Sequence, residues 1–164
     1  MPNVSGGLKA LQRYLFNSGL FKPQNTPEIA SKLSAREMEL LLEDRATLNA
    51  LLSQRLPVED LRLYRGVDTT KLPSVGQIIG GEGGPASFST DAGIARMHAG
   101  PPPSGPIIST RVDDRVRGIV VPKDLNPYEK EVILHPGTLL EGYNLRKLKN
   151  GQTVIDALPT QDSL

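Results

Sequence analysis

In the chain of 164 residues, the spacing of apolar residues changes once, near residue 57. Before that point apolar residues recur every three or four positions, which is typical of amphipathic helices. After it, apolar and polar residues alternate, which is typical of half-buried strands. Because these strands are not regularly interleaved with helices, the pattern favours an α+β fold with an antiparallel or mixed sheet over a doubly wound one.

Three helices are predicted before residue 57. The first ends near Asn17, and the second covers residues 26–33, with a proline in its first turn. Ser34 and Glu37 form a capping-box pattern, which opens a third and longer helix. The buried faces of the first and third helices are predicted to carry Leu8, Leu11 and Leu15, and Met38, Leu41, Leu42, Leu48 and Leu52, respectively.

Eight strands and one further helix are predicted after residue 57. The strands are assigned from short runs of alternating apolar and polar residues bounded by turn-forming residues. They cover residues 61–67, 76–79, 85–90, 106–112, 117–121, 129–134, 138–148 and 153–158, and the helix covers residues 92–99. The length suits a single domain, with a helical front at 1–56, a stranded part at 57–158 and a tail at 159–164.

Composition and charge narrow the classes of function. The net charge is +1, and lysine and arginine are scattered, so no concentrated face for a polyanion is indicated. The sequence has no cysteine, and His98 and His135 have no ligand-like spacing, so no metal site is expected. No apolar run approaches the ~18 residues of a membrane span, and the N-terminus does not have the pattern of a signal peptide.

Arg65 and Gly66 lie at the end of the first predicted strand. Arginine presents a planar fork of donors that grips a phosphate or a carboxylate in two places. Glycine lets a ligand approach the main chain closely, because it has no side chain. By itself this pair is more typical of a surface salt-bridge arginine beside a turn, and that explanation is favoured until the other motifs are considered.

A polar segment runs from Ser87 to Asp91 in the third predicted strand. Strand alternation places Ser87, Ser89 and Asp91 on one face, and Phe88 and Thr90 on the other. Phe88 is then expected to anchor in the core while Ser89 faces a cleft. The same residues are typical of a strand that runs into a polar cap before the next helix, and the two explanations are compatible.

Glu129 and Glu131 flank Lys130 in the sixth predicted strand. A period of two places both carboxylates on the same face, with Lys130 opposite. Two acids on one face repel each other, and two causes fit the sequence: an exposed strand edge protected from aggregation, or catalysis at a cationic centre. The apolar residues 132–134 follow directly, so the acids stand where a buried strand emerges.

Together the three motifs resemble the signature of the arginine-serine-glutamate class of ADP-ribosyltransferases, which includes the cholera-toxin-like and clostridial-toxin-like enzymes and the vertebrate ecto-transferases. The resemblance covers about residues 55 to 158 and is most specific from Glu129 to Thr138, where Glu-x-Glu continues into an apolar run and a turn with proline and glycine. It departs from the family at Asp91, where the family often has a serine. It implies a split, mixed or antiparallel β-core with the N-terminal helices packed on it.

The resemblance also implies a reaction, in which NAD+ loses nicotinamide and its ADP-ribose passes to an acceptor. Glu131 would bind a ribose hydroxyl and stabilise the oxocarbenium-like transition state, as contacts to a sugar hydroxyl do in glycoside hydrolysis. Ser89 would hold Glu131 in orientation. Arg65 would grip the phosphates or the ribose of NAD+, and the backbone of Gly66 would meet the nicotinamide amide.

Further residues are implied for NAD+ and for the acceptor. Thr90 and Arg96 are additional candidate contacts for NAD+. Glu129 is the fourth member of the implied catalytic set, because the family places a glutamate there when the acceptor is arginine, where it pairs with the guanidinium and takes its proton. Tyr128, at the end of the loop expected to read the target, is a candidate contact for that target.

The function that these residues favour is mono-ADP-ribosylation of a macromolecule, with a protein arginine as the acceptor, by a bacterial effector toxin. Such a toxin is secreted or delivered into the cytoplasm of a target cell, and the producing cell needs an immunity protein. Three alternatives remain open: an NAD+ glycohydrolase, a transferase acting on RNA or DNA, and a binding module with a degenerate transferase fold. Intact Arg65, Ser89 and Glu131 argue against degeneracy.

Overall fold

The structure is a computed structural model of the chain. The residues that it describes are 4–56, 61–67, 78–80, 84–99, 106–113, 115–126 and 130–160.

Four α-helices are present in the described residues. Helix α1 covers Val4–Phe16, α2 Thr26–Ala30, α3 Ala35–Leu51 and α4 Ala92–Ala99, and two 3-10 turns, Ser18–Phe21 and Pro23–Asn25, connect α1 to α2. The capping box of α3 is confirmed, because the Ser34 hydroxyl accepts from the Glu37 amide at 3.1 Å and the Glu37 carboxylate accepts from the Ser34 amide at 3.0 Å. None of the described helices is long and apolar enough to cross a membrane.

The structure corrects two details of the helical front. Helix α2 ends at Ala30 and not at residue 33, because the Lys32 amide donates to the Ile29 carbonyl three residues back, which tightens the chain into a turn. The predicted apolar stripes are also shifted. Leu8 and Leu42 are partly exposed, and the buried side chains of α1 and α3 are Ala10, Leu11, Tyr14, Leu41, Leu48 and Leu51.

Each predicted strand has a counterpart in the structure. The strands are β1 Leu61–Gly66, β2 Ile78–Gly80, β3 Ala86–Ser89, β4 Ile107–Val112, β5 Gly118–Val120, β6 Glu131–Leu134, β7 Leu139–Lys147 and β8 Thr153–Pro159. They form an eight-stranded sheet in the order β2-β7-β8-β4-β1-β3-β6-β5. Only the β4–β8 pair is parallel among the described pairs, so the sheet is mixed, as expected.

The sheet is split at its centre. Strands β1 and β3 are joined by one pair of residues, Tyr64 and Ser89, whereas β1 and β4 are paired along six residues. This narrow junction separates a five-stranded half, β2-β7-β8-β4-β1, from a three-stranded half, β3-β6-β5. The predicted α+β fold with a split, mixed sheet is therefore confirmed.

Two apolar clusters hold the layers together. The first contains side chains from both halves of the sheet, among them Leu63 of β1, Ile108 of β4, Phe88 of β3 and Val132 of β6. The second joins the three-stranded half to the helical front and contains Leu11, Tyr14, Phe21, Leu48, Leu52, Val121 and Ile133. Burial of each large apolar side chain contributes about 1.5–3 kcal/mol, so these clusters hold α1 against the strands that carry the candidate site.

The start of β6 differs from the sequence-based expectation. The strand begins at Glu131, and Lys130 has a φ of 45°, in the left-handed region, so the extended alternation does not continue across it. The Thr90 amide donates to the Lys130 carbonyl at 3.1 Å, and the Lys130 ammonium lies 3.6 Å from a carboxylate oxygen of Asp91. The expectation that Lys130 belongs to this strand is therefore wrong, because the backbone turns at Lys130; Glu129 lies outside the described residues.

Candidate active site

A cavity of about 430 Å³ opens where the split sheet meets the helical front. Four of the predicted site residues line it, namely Arg65, Gly66, Ser89 and Glu131. They come from β1, β3 and β6, which are distant in sequence, and the order of the strands brings them together. A volume of this size lies in the range of about 300–1,000 Å³ that is typical of small-molecule and cofactor sites.

The register of the sheet places Glu131 beside Ser89. The two residues are directly paired between β6 and β3, and Ser89 is in turn paired with Tyr64 of β1. Directly paired residues project to the same face of a sheet, so these three side chains form one row that ends at the cavity.

Arg65 forms part of the cavity wall at the end of β1. Its Nη1 donates to the Ser87 carbonyl at 3.2 Å, and its guanidinium carbon lies 5.8 Å from the centre of the Phe88 ring. Burial lowers the pKa of the guanidinium from its ordinary value, but arginine titrates so high that it remains charged at neutral pH. The cavity therefore contains a fixed, partly desolvated positive charge.

Gly66 is required for a reason that differs from the one predicted. A Cβ at this position would lie 2.5 Å from the Ala95 carbonyl oxygen and 2.6 Å from the Ala99 amide nitrogen. Helix α4 therefore packs directly on the backbone of β1, and any side chain at residue 66 would displace it. This close packing explains the glycine, whether or not a ligand also approaches it.

Ser89 and Asp91 connect the site to the start of α4. The Ser89 hydroxyl accepts from the Asp91 amide at 3.0 Å, and a carboxylate oxygen of Asp91 accepts from the Gly93 amide at 2.8 Å. The bond from the Gly93 amide lowers the pKa of Asp91, with further contributions from the Ile94 amide and from Lys130. The polar cap considered for this segment is thus present, and Asp91, the departure from the family pattern, belongs to it.

Glu131 is a buried acid at the cavity wall, with 7% of its surface exposed. Its Oε1 accepts a hydrogen bond from Nδ2 of Asn126 at 2.9 Å. Within the described ranges of the chain, no lysine, arginine or histidine forms an ion pair with it. The carboxylate therefore has a neutral hydrogen-bond partner and no compensating cation there.

Sequence reasoning missed Tyr14 and Asn126, which also line the cavity. The Tyr14 hydroxyl lies 2.7 Å from the Ser87 hydroxyl and donates to the Pro85 carbonyl at 3.3 Å. Burial, above all, raises the pKa of Tyr14, so the hydroxyl stays protonated. The one available signal for Tyr14 was its position three residues after Leu11 on the buried face of α1, which indicated only a core residue.

Of the four remaining predicted residues, the two that the structure describes do not line the cavity. Thr90 and Arg96 are exposed and are not among the residues that line it. Tyr128 and Glu129 lie outside the described residues. The roles assigned to these four residues therefore stay predictions. In the part of the chain that the structure describes, no group of three His, Cys, Asp or Glu residues is placed to hold a metal ion.

Comparison with known proteins gives a consistent result at the level of structure. No family model and no curated protein sequence matches the chain. The solved structure of C3stau2 from S. aureus with NAD is similar with a TM-score of 0.71 at 18% identity, covering 95% of this chain and 87% of that one.

Two further solved structures have a similar degree of likeness. An ADP-ribosyltransferase from Clostridium botulinum has a TM-score of 0.71 at 14% identity, covering 94% of this chain and 86% of that one. The ADP-ribosyltransferase Vis in complex with agmatine has a TM-score of 0.66 at 13% identity, covering 98% and 76%. The protein therefore has the fold of the ADP-ribosyltransferase toxins.

Proposed function

We propose that the protein is an NAD+-dependent ADP-ribosyltransferase that transfers ADP-ribose to a macromolecular target and releases nicotinamide. The observation that carries this proposal is the presence, in one cavity, of a half-buried cation, Arg65, and a buried acid, Glu131, that forms no ion pair with any described residue. The fold supports it, because similar solved structures include ADP-ribosyltransferases and one of the similar structures contains NAD.

The charges of Arg65 and Glu131 suit different groups of NAD+. The Arg65 fork is matched to a phosphate or ribose oxygen. Among the described residues only its Nη1 donates to a protein acceptor, so its other donors can face a ligand in the cavity. The Glu131 carboxylate would accept from a ribose hydroxyl and stabilise positive charge on the ribose as the nicotinamide bond breaks. The bonding electron pair leaves with nicotinamide, and a lone pair of the acceptor forms the new bond to ribose. The acceptor gives up one proton, which from an arginine would pass to Glu129.

The other predicted contacts complete the proposed site. Ser89, paired with Glu131 across the strands, would orient it, and the backbone of Gly66 would meet the nicotinamide amide. Thr90 and Arg96 remain proposed contacts for NAD+, although both side chains are exposed.

We propose a protein arginine as the acceptor. Two observations support it: the glutamate two residues before Glu131, and the similarity to Vis, which was solved in complex with agmatine, a guanidinium compound. Glu129 would take the guanidinium proton, and Tyr128 would contact the target. The similarity to solved bacterial toxins supports a toxin. We further propose that it is an effector acting in the cytoplasm of a target cell and that the producing cell has an immunity protein.

The direct test is to incubate the protein with NAD+, with and without cell lysate, and to measure free nicotinamide. Release that increases with lysate, together with ADP-ribose located on arginine by mass spectrometry, supports the proposal. Release without any labelled macromolecule supports an NAD+ glycohydrolase instead, and a label on RNA or DNA supports a nucleic-acid acceptor. No release under any condition supports a binding module.

The acceptor assignment predicts that Glu129→Gln separates two activities. A protonated guanidinium is a poor nucleophile until its proton is removed, whereas water needs little positioning beside a ribosyl cation. We therefore expect transfer to arginine to fall about a hundredfold and NAD+ hydrolysis to be largely retained. Nicotinamide release and target labelling, measured side by side, decide it. An equal fall in transfer and in hydrolysis would contradict the separate roles of Glu129 and Glu131. Unchanged transfer and hydrolysis would contradict arginine as the acceptor.

A further inference from the structure

The segment 121–126, which follows β5, is tied to Glu131 at both of its ends. At its start, the Val121 amide donates to the main-chain carbonyl of Glu131 at 2.9 Å. At its end, Nδ2 of Asn126 donates to Oε1 of the Glu131 side chain, also at 2.9 Å. One short segment therefore holds both the backbone and the carboxylate of the same residue.

The loop itself has a defined turn that directs Asn126 toward the cavity. The Pro122 carbonyl accepts from the Leu125 amide at 3.0 Å and from the Asn126 amide at 3.3 Å. Leu125 packs on the second apolar cluster, between the helical front and the three-stranded half of the sheet. Backbone hydrogen bonds and an apolar anchor thus fix the place from which the Asn126 amide reaches Glu131.

An amide is chemically suited to orient a catalytic carboxylate. A lysine or arginine at the same distance would orient Glu131 but would also neutralise the charge on which stabilisation of a cationic transition state depends. A neutral donor restricts the rotation of the carboxylate and leaves its charge in place. It occupies one lone pair of Oε1, so that Oε2 remains available to a substrate hydroxyl.

We propose that Asn126 is a positioning residue for Glu131. It holds the carboxylate in the orientation in which it accepts from the ribose of NAD+, and it acts before and during cleavage of the nicotinamide bond. This inference rests on the proposed function. It adds to that function a residue from a loop that the three sequence motifs do not include.

The test compares Asn126 with Asn144, which offers a matched control. Asn144 of β7 donates from the same atom type to another buried acid, Asp156, at 3.0 Å, and it does not line the cavity. For Asn126→Ala we expect the kcat of nicotinamide release to fall about tenfold to a hundredfold, because small misplacements of reacting groups have effects of this size. The KM for NAD+ should change less than about threefold, since Asn126 acts through Glu131. Asn144→Ala should leave kcat within about twofold, and melting curves of both variants measure any loss of stability.

A second variant separates positioning from packing. Asn126→Asp keeps the shape of the side chain but replaces the donor by a carboxylate that repels Glu131, so kcat should fall at least as far as in Asn126→Ala. Near wild-type kcat in Asn126→Asp would overturn the inference, as would a fall of kcat in Asn144→Ala equal to that in Asn126→Ala.

A measurement independent of turnover completes the design. In a nitrogen-15 spectrum of the intact protein, the side-chain amide signals of Asn126 should shift in Glu131→Gln, whereas those of Asn144 should not. Unchanged Asn126 signals would overturn the contact itself. A wild-type protein that releases no nicotinamide would overturn the proposed function and the positioning role with it, and shifted amide signals would then show that the contact was not at fault.

Discussion

The two halves of the sheet each contain a buried acid, and the two acids differ in whether a cation compensates their negative charge. Glu131 in the three-stranded half and Asp156 in the five-stranded half are 7% and 6% exposed. Asp156 accepts from Nε and Nη2 of Arg146, at 2.9 and 3.2 Å, and from Asn144. Glu131 accepts from the neutral Asn126, and no ion pair compensates it among the described residues.

This difference is consistent with a structural role for Asp156 and with the role proposed for Glu131. A buried carboxylate that is neutralised by a two-pronged arginine contact is a satisfied group, with little left to offer a ligand. A buried carboxylate without a cation is unfavourable by itself, and a protein that retains one at the wall of a cavity gains nothing from it in stability. Burial alone does not distinguish the two acids, whereas charge compensation does.

The largest expected effect is that of Glu131→Gln. The substitution keeps the size and much of the hydrogen bonding but removes the charge, so nicotinamide release should fall about a hundredfold or more. Stability should be unchanged or slightly higher, because an uncompensated buried charge is removed. Steady-state nicotinamide release and melting curves measure both. Glu141→Gln, on the exposed surface of β7, is the control and should match the wild type. Wild-type rates in Glu131→Gln would remove the distinction between the two acids.

Asp156→Asn should show the opposite behaviour. It leaves Arg146 without its charged partner, and we expect the free energy of unfolding to fall by about 1–2 kcal/mol. This is less than for a fully buried pair, because the Arg146 side chain is 45% exposed and solvent screens it. Nicotinamide release should stay within about twofold of the wild type. Urea denaturation gives the first quantity. A loss of activity without a loss of stability would mean that the five-stranded half also contributes to the site.

The smallest expected effect concerns the backbone just before Glu131. Because Lys130 has a positive φ, which costs an ordinary residue about 1 kcal/mol, Lys130→Gly should leave the free energy of unfolding equal to the wild type or slightly higher. Lys130→Val should lower it by about 1–2 kcal/mol, since β-branched residues are strained there. Thermal unfolding of both variants is the measurement. Asp156 has no such turn directly before it, so the turn is a further difference between the two acids. Equal stability of the two variants would show that the turn at Lys130 does not constrain Glu131.

The local features of this protein follow from its sequence. The capping box at Ser34, the helix at 92–99 and the eight strands depend on neighbouring residues and on periodicity, and the structure contains them. Arg65, Ser89 and Glu131 can be predicted from the sequence because each belongs to a short motif within a single strand. Their meeting in one cavity agrees with the order expected from the family that the motifs resemble.

Other features depend on which segments meet, and only the tertiary structure decided them. Tyr14 and Asn126 reach the cavity from α1 and from the loop after β5, and nothing in their local sequence marks them as different from a core residue or a turn residue. Gly66 is explained by the helix packed against it, and the turn at Lys130 by its contacts with Asp91 and Thr90. Periodicity reports only which side of an element is apolar. The partner of each polar group is set by strand order and by packing between distant segments, and that is why Glu131 and Asp156, similar in burial, have different partners.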